Sequence, residues 1–244
     1  VNTIKTIVII QARMGSTRLP GKVLLPLGES VVLNYVVTRC KSISPVDEVI
    51  VATSDLPGDN PIAVWCERNN VNYFRGAEHD VLARFYECAQ LYRPDYIIRV
   101  TADCPFLDIS LANESIRLIS EHPADMVVLN GVLPRGLATE LISYSALEKI
   151  HKISTAERHR EHVTFYAYEY PEQFSQTELK IPEALQYPQL RITLDMAEDY
   201  ALCQAIADNY PGSLLAPADE IVAYLLEHPE VAHLNAHIEQ KKVK

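Results

Sequence analysis

Between residues 6 and 129 the chain alternates short β-branched runs with stretches of helical spacing, and that alternation confines it to one class of fold. Residues 6–11, 48–53, 71–74, 96–101 and 125–129 read as strands. Between them, 31–40 carries Val32, Tyr35 and Val36 at helical spacing, with Ser30 where an N-cap would stand. Residues 62–69 and 109–121 read as helices, as does 80–92, which puts Val81, Leu82, Phe85, Cys88, Ala89 and Tyr92 on one face. Units of this kind build parallel sheets through right-handed crossovers. The predicted fold is an α/β/α three-layer sandwich around a mostly parallel, Rossmann-like sheet.

From Leu133 the pattern loosens. A strand is expected over 139–142, helices over 144–152 and 158–168, and a strand over 174–179. Residues 190–194 read as a return strand into the main sheet, followed by helices over 196–209 and 217–226. The expectation is a single domain, 1–244, with a small antiparallel arm inserted at about 133–190. Phe165, Tyr166, Tyr168, Tyr170 and Phe174 give that arm more aromatic surface than it easily buries alone, which predicts a homodimer through it. The tail beyond His237, ending in Lys241, Lys242 and Lys244, reads as frayed.

Composition narrows the function classes. The net charge is −10 and the pI about 5.3, which argues against general nucleic-acid or anionic-membrane binding. Cys40, Cys66, Cys88, Cys104 and Cys203 are odd in number and include no C-x-x-C, so reduced, buried thiols are expected, not disulfides or zinc. The N-terminal apolar run is too short to span a bilayer and no cleavage-site pattern follows it; the expected location is the cytoplasm.

Against this acidic background Lys5, Arg13, Arg18 and Lys22 all precede the first acid, Glu29. The loop 12–22 follows a buried strand and contains Gly15, Gly21 and hydroxyls. Such a loop holds polyphosphate: backbone N–H groups ring the oxygens and fixed cations neutralise them. It is not a P-loop, since five residues separate Gly15 from Gly21 and Val23 follows Lys22. The plain alternative is a solvated basic loop. Ligands of parallel sheets sit outside the carboxyl ends of the strands, which here points to the loops 12–22, 54–61 and 102–108. Asp103 and Asp195 each end a predicted strand and suit a hard cation such as Mg²⁺. Locally, Asp103 also reads as a turn residue, and Asp195 as a helix cap with Glu198 at N3.

The string Ala12-Arg13-x-x-Ser16-Thr17-Arg18-Leu19-Pro20-Gly21-Lys22 resembles the signature loop of the sugar cytidylyltransferases, the CMP-sugar synthetases of the 3-deoxy-manno-octulosonate and acylneuraminate type, and above all their spore coat polysaccharide biosynthesis branch. Asp103-Cys104-Pro105 and Asp195-x-x-Glu198-Asp199 resemble the family's two acidic elements. The segments 75–85, 134–140 and 158–164 resemble those that line the nucleotide and the acceptor. The resemblance implies that Gln11, Ala12, Arg13, Gly15, Ser16, Thr17, Arg18, Lys22, Arg75, Gly76, Asp80 and Arg84 bind the nucleotide. It places Arg135, Glu140 and His162 at the acceptor, and Asp103 and Asp195 on Mg²⁺. Arg13, Lys22, Asp103 and Asp195 would carry catalysis. The implied reaction joins CTP to a sugar acid, giving a CMP-sugar and pyrophosphate for surface polysaccharide. Relatives often have Asp where this chain has Ala138, which leaves the acceptor open. Segment 158–164 has neither zinc-protease spacing, because Arg158 and Glu161 break both. Two rivals stand beside this reading. A glycosyltransferase using a nucleotide sugar commonly carries Asp-x-Asp, absent here; a non-catalytic nucleotide-binding protein has no need of both acids and the whole basic loop.

Overall fold

The computed structural model describes residues 4–239. Its strands are β1 (Thr6–Gln11), β2 (Pro26–Leu27), β3 (Ser30–Val31), β4 (Glu48–Ser54), β5 (Asn72–Gly76), β6 (Tyr96–Thr101), β7 (Met126–Asn130), β8 (Glu140–Ser143) and β9 (Gln176–Lys180). The helices are α1 (Val32–Lys41), α2 (Asn60–Arg68), α3 (Val81–Tyr92), α4 (Ile109–Glu121), α5 (Tyr144–Ile153), α6 (Glu157–Glu161), α7 (Phe165–Glu169), α8 (Ala197–Asn209), α9 (Ala218–Glu227) and α10 (Pro229–Ala232). Seven strands form one sheet in the order β5-β4-β1-β6-β8-β7-β9, while β2 and β3 pair in a short ribbon.

The sheet is parallel from β5 to β6, and β1 lies between β4 and β6. Both faces of β1 are covered, so it has no polar alternation: Ile7, Val8, Ile9 and Ile10 are all fully buried. Val8 and Ile10 face α1, α2, α4, α8 and α9. Ile7 and Ile9 face α3, α5 and the segment around α7. This is the expected three-layer sandwich. β8 runs antiparallel to β6 and β7, and β9 returns parallel to β7. The antiparallel part predicted for 133–190 thus supplies β8 and β9 to the central sheet itself.

Four local expectations are corrected. Ser30 lies in β3 and accepts from Asn34 Nδ2 at 2.8 Å, and Val31 is the N-cap of α1. The helix expected over 158–168 breaks into α6 and α7, because His162 and Val163 leave helical geometry and Phe165 N–H closes a tight turn on His162 O at 2.6 Å. Residues 190–194 form no ladder; they make one bridge, Arg135 to Arg191. Met196, not Asp195, stands at the N-cap of α8. Of the aromatic residues that motivated a dimer, Phe174 and Tyr166 pack on the α3/α5 side of the core, Tyr166 lies tilted against Tyr170 with ring centroids 4.6 Å apart, and Tyr168 is exposed. All five cysteines are free thiols, four of them buried. No described helix is long and apolar enough to cross a membrane. Lys241, Lys242 and Lys244 lie outside the described residues.

Candidate active site

The basic loop leaves β1 and is tied down at both ends. Met14 N–H donates to Asp59 Oδ1 at 2.7 Å, and Gly21 N–H donates to Met14 O at 3.0 Å. Asp59 is buried in the loop after β4, where it also accepts from Ser54. Gly21 has φ of 68°, a left-handed conformation that glycine adopts without strain, and it starts the short 3₁₀ turn Lys22–Leu24. That turn aims Lys22 back across the ends of the strands.

Lys22 meets both predicted acids. Its Nζ donates to Asp103 Oδ2 at 3.1 Å, to Asp195 Oδ1 at 2.9 Å and to Leu194 O at 2.8 Å. An ammonium has three N–H donors, and all three are used. The two carboxylate oxygens therefore lie no further apart than the sum of two hydrogen-bond lengths, within reach of one cation bound directly to one acid and through water to the other. Asp103 follows β6. Asp195 arrives because Leu194 N–H and Thr193 Oγ1 both donate to Asp103 O, at 2.8 and 3.2 Å. Ile192 N–H donates to Arg135 O at 2.8 Å. Gly136 makes this approach feasible: its φ is 103°, and a Cβ there would stand 2.6 Å from Thr193 N.

Asp195 is buried among cations. Arg191 Nη2 donates to its Oδ2 at 3.2 Å, and Arg18 Nη2 lies 3.4 Å from Oδ1. Burial alone would raise the Asp195 carboxyl, but Lys22, Arg18 and Arg191 outweigh it and hold the group below the usual carboxylate range. Burial likewise would lower Lys22, yet Asp103 and Asp195 keep its ammonium above the ordinary lysine value. Asp199 takes over the start of α8: its Oδ2 accepts from Asp195 and Met196 N–H at 2.9 and 3.0 Å.

The Asp103 side chain is 26 % exposed, so it keeps a solvent face. Two hard carboxylate oxygens with room for water suit Mg²⁺, which retains several waters and needs few protein ligands. Among the described residues there is no group of three or more His, Cys, Asp or Glu side chains able to hold a metal. The residues present fit Mg²⁺ only if Lys22 gives way.

A second polar cluster lies on the α3/α5 face beside Gln11. Arg99 donates from Nη1 to Glu140 Oε2 at 2.5 Å and from Nη2 to Gln11 Oε1 at 3.0 Å. Thr164 Oγ1 donates to the same Glu140 oxygen at 2.9 Å. His162 is half-buried nearby; burial lowers its pKa against the opposing pull of Glu161.

Other predicted residues are engaged elsewhere. Arg75 spends its guanidinium on Ser54 O, Leu56 O and Asn60 Oδ1, each at 2.8 Å. Arg84 is buried and donates to Ala77 O at 2.8 Å, so it supports the loop after β5 from beneath. A Cβ on Gly76 would meet the Arg84 side chain at 3.2 Å. Asp80 caps α3 through Ala83 N–H and pairs with Arg160 at 2.6 Å. Arg135 is exposed and joins the site through its backbone. Arg13, Ser16, Thr17 and the backbone of Ala12 and Gly15 stay on the basic loop; Arg13 makes no ion pair among the described residues. Sequence reasoning missed roles for Arg99, Arg191 and Asp59. A charge inside an apolar central strand marked Arg99, and the i, i+4, i+8 spacing of Arg191, Asp195 and Asp199 marked the second network.

A parallel sheet that delivers a cationic loop and two acids to one edge defines a nucleotide-handling α/β enzyme. Comparison with known proteins makes that class specific: the chain matches the cytidylyltransferase family over residues 7–239 and belongs to it. It is 35% identical to an uncharacterized protein of Methanocaldococcus jannaschii over 240 residues, 98% of both chains. It is 35% identical over 230 residues to the spore coat polysaccharide biosynthesis protein SpsF of Bacillus subtilis, covering 92% of this chain and 95% of that one. The structure of a cytidylyltransferase from Leptospira borgpetersenii superposes with a TM-score of 0.88 at 27% identity, covering 98% of this chain and 100% of the other. The chain is therefore a CTP-dependent nucleotidyltransferase, and the resemblance read from the basic loop identified its family correctly.

Proposed function

We propose that this enzyme condenses CTP with a sugar acid, releasing pyrophosphate and forming a CMP-sugar for surface polysaccharide. The observation that carries the reading is the meeting of Lys22, Asp103 and Asp195 at the carboxyl ends of β1 and β6. In the reaction a hydroxyl oxygen of the acceptor attacks the α-phosphorus of CTP. The bond from α-phosphorus to the bridging β-phosphate oxygen breaks, pyrophosphate leaves, and the hydroxyl proton passes to solvent. Arg13, Ser16, Thr17, Arg18 and Lys22 grip the triphosphate and stabilise charge developing on the leaving group. Backbone at Gln11, Ala12 and Gly15 lies along the nucleotide, and Arg75, Gly76, Asp80 and Arg84 shape the loop that borders it. Asp103 and Asp195 would hold Mg²⁺, which would supply charge neutralisation at the phosphates and make the attacking hydroxyl more acidic. Glu140, His162 and Arg135 line the acceptor side, where Arg99 holds the Glu140 carboxylate in place. The test is a pyrophosphate-release screen of CTP, UTP, GTP and ATP against sugar acids and deoxysugars. Release with CTP and a sugar acid alone supports the reading; release of a nucleoside diphosphate from a nucleotide sugar would overturn it.

A further inference from the structure

The last described residues reach the back of the catalytic cluster. After α10 the chain turns inward at Asn235, which is 1 % exposed although it lies only a few residues from the end of the described chain. Its amide Nδ2 donates to Asp199 Oδ1 at 2.8 Å and to Arg191 O at 3.0 Å, so both N–H groups are used.

The two partners of Asn235 are those that aim Asp195. Asp199 is fully buried. Its Oδ1 accepts from Arg191 Nε at 2.8 Å, and its Oδ2 accepts from Arg191 Nη2 and from the N–H of Asp195 and Met196. Arg191 then reaches Asp195 Oδ2. The side chain of Asp195 is thus held on one oxygen by Arg191 and on the other by Lys22 and Arg18. Without Asn235, a buried carboxylate oxygen loses a donor and a backbone carbonyl loses its partner. Buried ionic networks are sensitive to such a loss, because a polar group left short of partners in the interior is costly. The nearest adjustment is for Asp199 and Arg191 to shift together, which turns Asp195 away from Asp103.

We propose that Asn235 is a positioning residue for Asp195, which makes the segment after α9 part of the catalytic unit and not only a lid over the core. The proposal rests on the reading of Asp195 as a metal- and nucleotide-site residue. Outer partners of metal ligands cost 10–100-fold in affinity or activity when removed, and an effect of that order is expected here.

The experiment compares Asn235→Ala, Asn235→Ser, Asp195→Asn and a control, Leu225→Ala, in the full chain. Leu225 is a buried apolar residue of α9 that belongs to the core and makes none of the polar contacts above. Thermal midpoints, kcat, KM for CTP and Mn²⁺ affinity in the presence of CTP are measured for each. Asn235→Ala is expected to lower kcat roughly 10–100-fold and weaken Mn²⁺ binding, with KM for CTP little changed. Asn235→Ser keeps one donor and is expected to recover part of both; it also carries the test should the alanine variant not fold. Leu225→Ala is expected to lower the midpoint and leave kcat and Mn²⁺ affinity near those of the parent. Parent-like Mn²⁺ affinity and kcat in both Asn235 variants, or losses equal to those of Leu225→Ala at matched stability, would overturn the proposal. Full turnover in Asp195→Asn would instead show that the underlying reading of Asp195 is wrong.

Discussion

Lys22 Nζ lies 2.9 Å from Asp195 Oδ1, a partner 173 positions further along the chain. The same ammonium bridges to Asp103, so it occupies the place between two carboxylates where a divalent ion would sit. Lys22 cannot hold both acids and a triphosphate with the same three donors. In the proposed reaction Asp103 and Asp195 would hold the ion, and the Lys22 ammonium, released from them, would serve the triphosphate.

Two effects of Lys22 substitution follow from that exchange. Lys22→Ala should weaken CTP binding and slow turnover by about 10²-fold, the scale of losing one donor to developing charge. Without nucleotide, Lys22→Met should bind Mn²⁺ more tightly than the parent, since the competing internal cation is gone. Calorimetric titration measures both; unchanged affinity for CTP and for the free ion would refute the exchange.

Asp103 and Asp195 should behave as one unit. Each Asn substitution is expected to abolish nearly all turnover, and the double variant to be little worse than the more damaged single one. Losses in kcat/KM that simply multiply would show that the two acids act in separate steps.

The Asp199–Arg191 pair should set part of the acid stability. Asp199 is buried, which by itself would raise its pKa, but hydrogen bonding from Arg191 leads the groups that lower it. A carboxyl held below its unfolded value of about 3.9 stabilises the fold fully above that pH, and the contribution is lost as pH falls through the folded value. Asp199→Asn removes one partner of a buried pair and should cost about 3–5 kcal/mol near neutrality. Urea midpoints from pH 7 to pH 3 should then show the gap between parent and variant narrowing on acidification. Parallel curves would contradict this assignment.

Gly136 should tolerate no side chain. Its φ of 103° disfavours any L-residue, and an added Cβ would stand 2.6 Å from Thr193 N and 2.7 Å from the Ile192 carbonyl carbon. Gly136→Ala is expected to cost at least about 1–3 kcal/mol, the scale of one strained backbone residue. It should also reduce turnover, because the segment it pushes carries Asp195. A denaturation midpoint and kcat equal to the parent's would remove Gly136 from the account of the site.

The parallel half of the fold was legible because its strands are buried on both faces and read as uninterrupted apolar runs, as in Ile7–Ile10. Residues 190–194 were misread for a related reason. Leu190, Ile192 and Leu194 alternate with Arg191 and Thr193, so the segment has a strand's apolar–polar alternation, but all five are buried and its backbone partners are Arg135 O and Asp103 O, not a ladder. The break at His162 was equally hidden, since the residues on either side have helical composition and no glycine or proline marks the local turn from His162 O to Phe165 N–H.

By itself the sequence determined the layer architecture and the cationic loop, because strand periodicity and a segment of one charge sign are local properties, and it pointed to the two acids that Lys22 joins. It also carried the family, through the string from Ala12 to Lys22. The tertiary structure alone decided how these parts meet. Lys22 neutralises Asp103 and Asp195, Arg75 and Arg84 turn to support loops, and Arg191, Asp199 and Asn235 form a buried bracket behind Asp195. Those contacts join residues from 7 to 173 positions apart, and their partners are chosen by the low dielectric of a shared interior, where a charge left alone is costly.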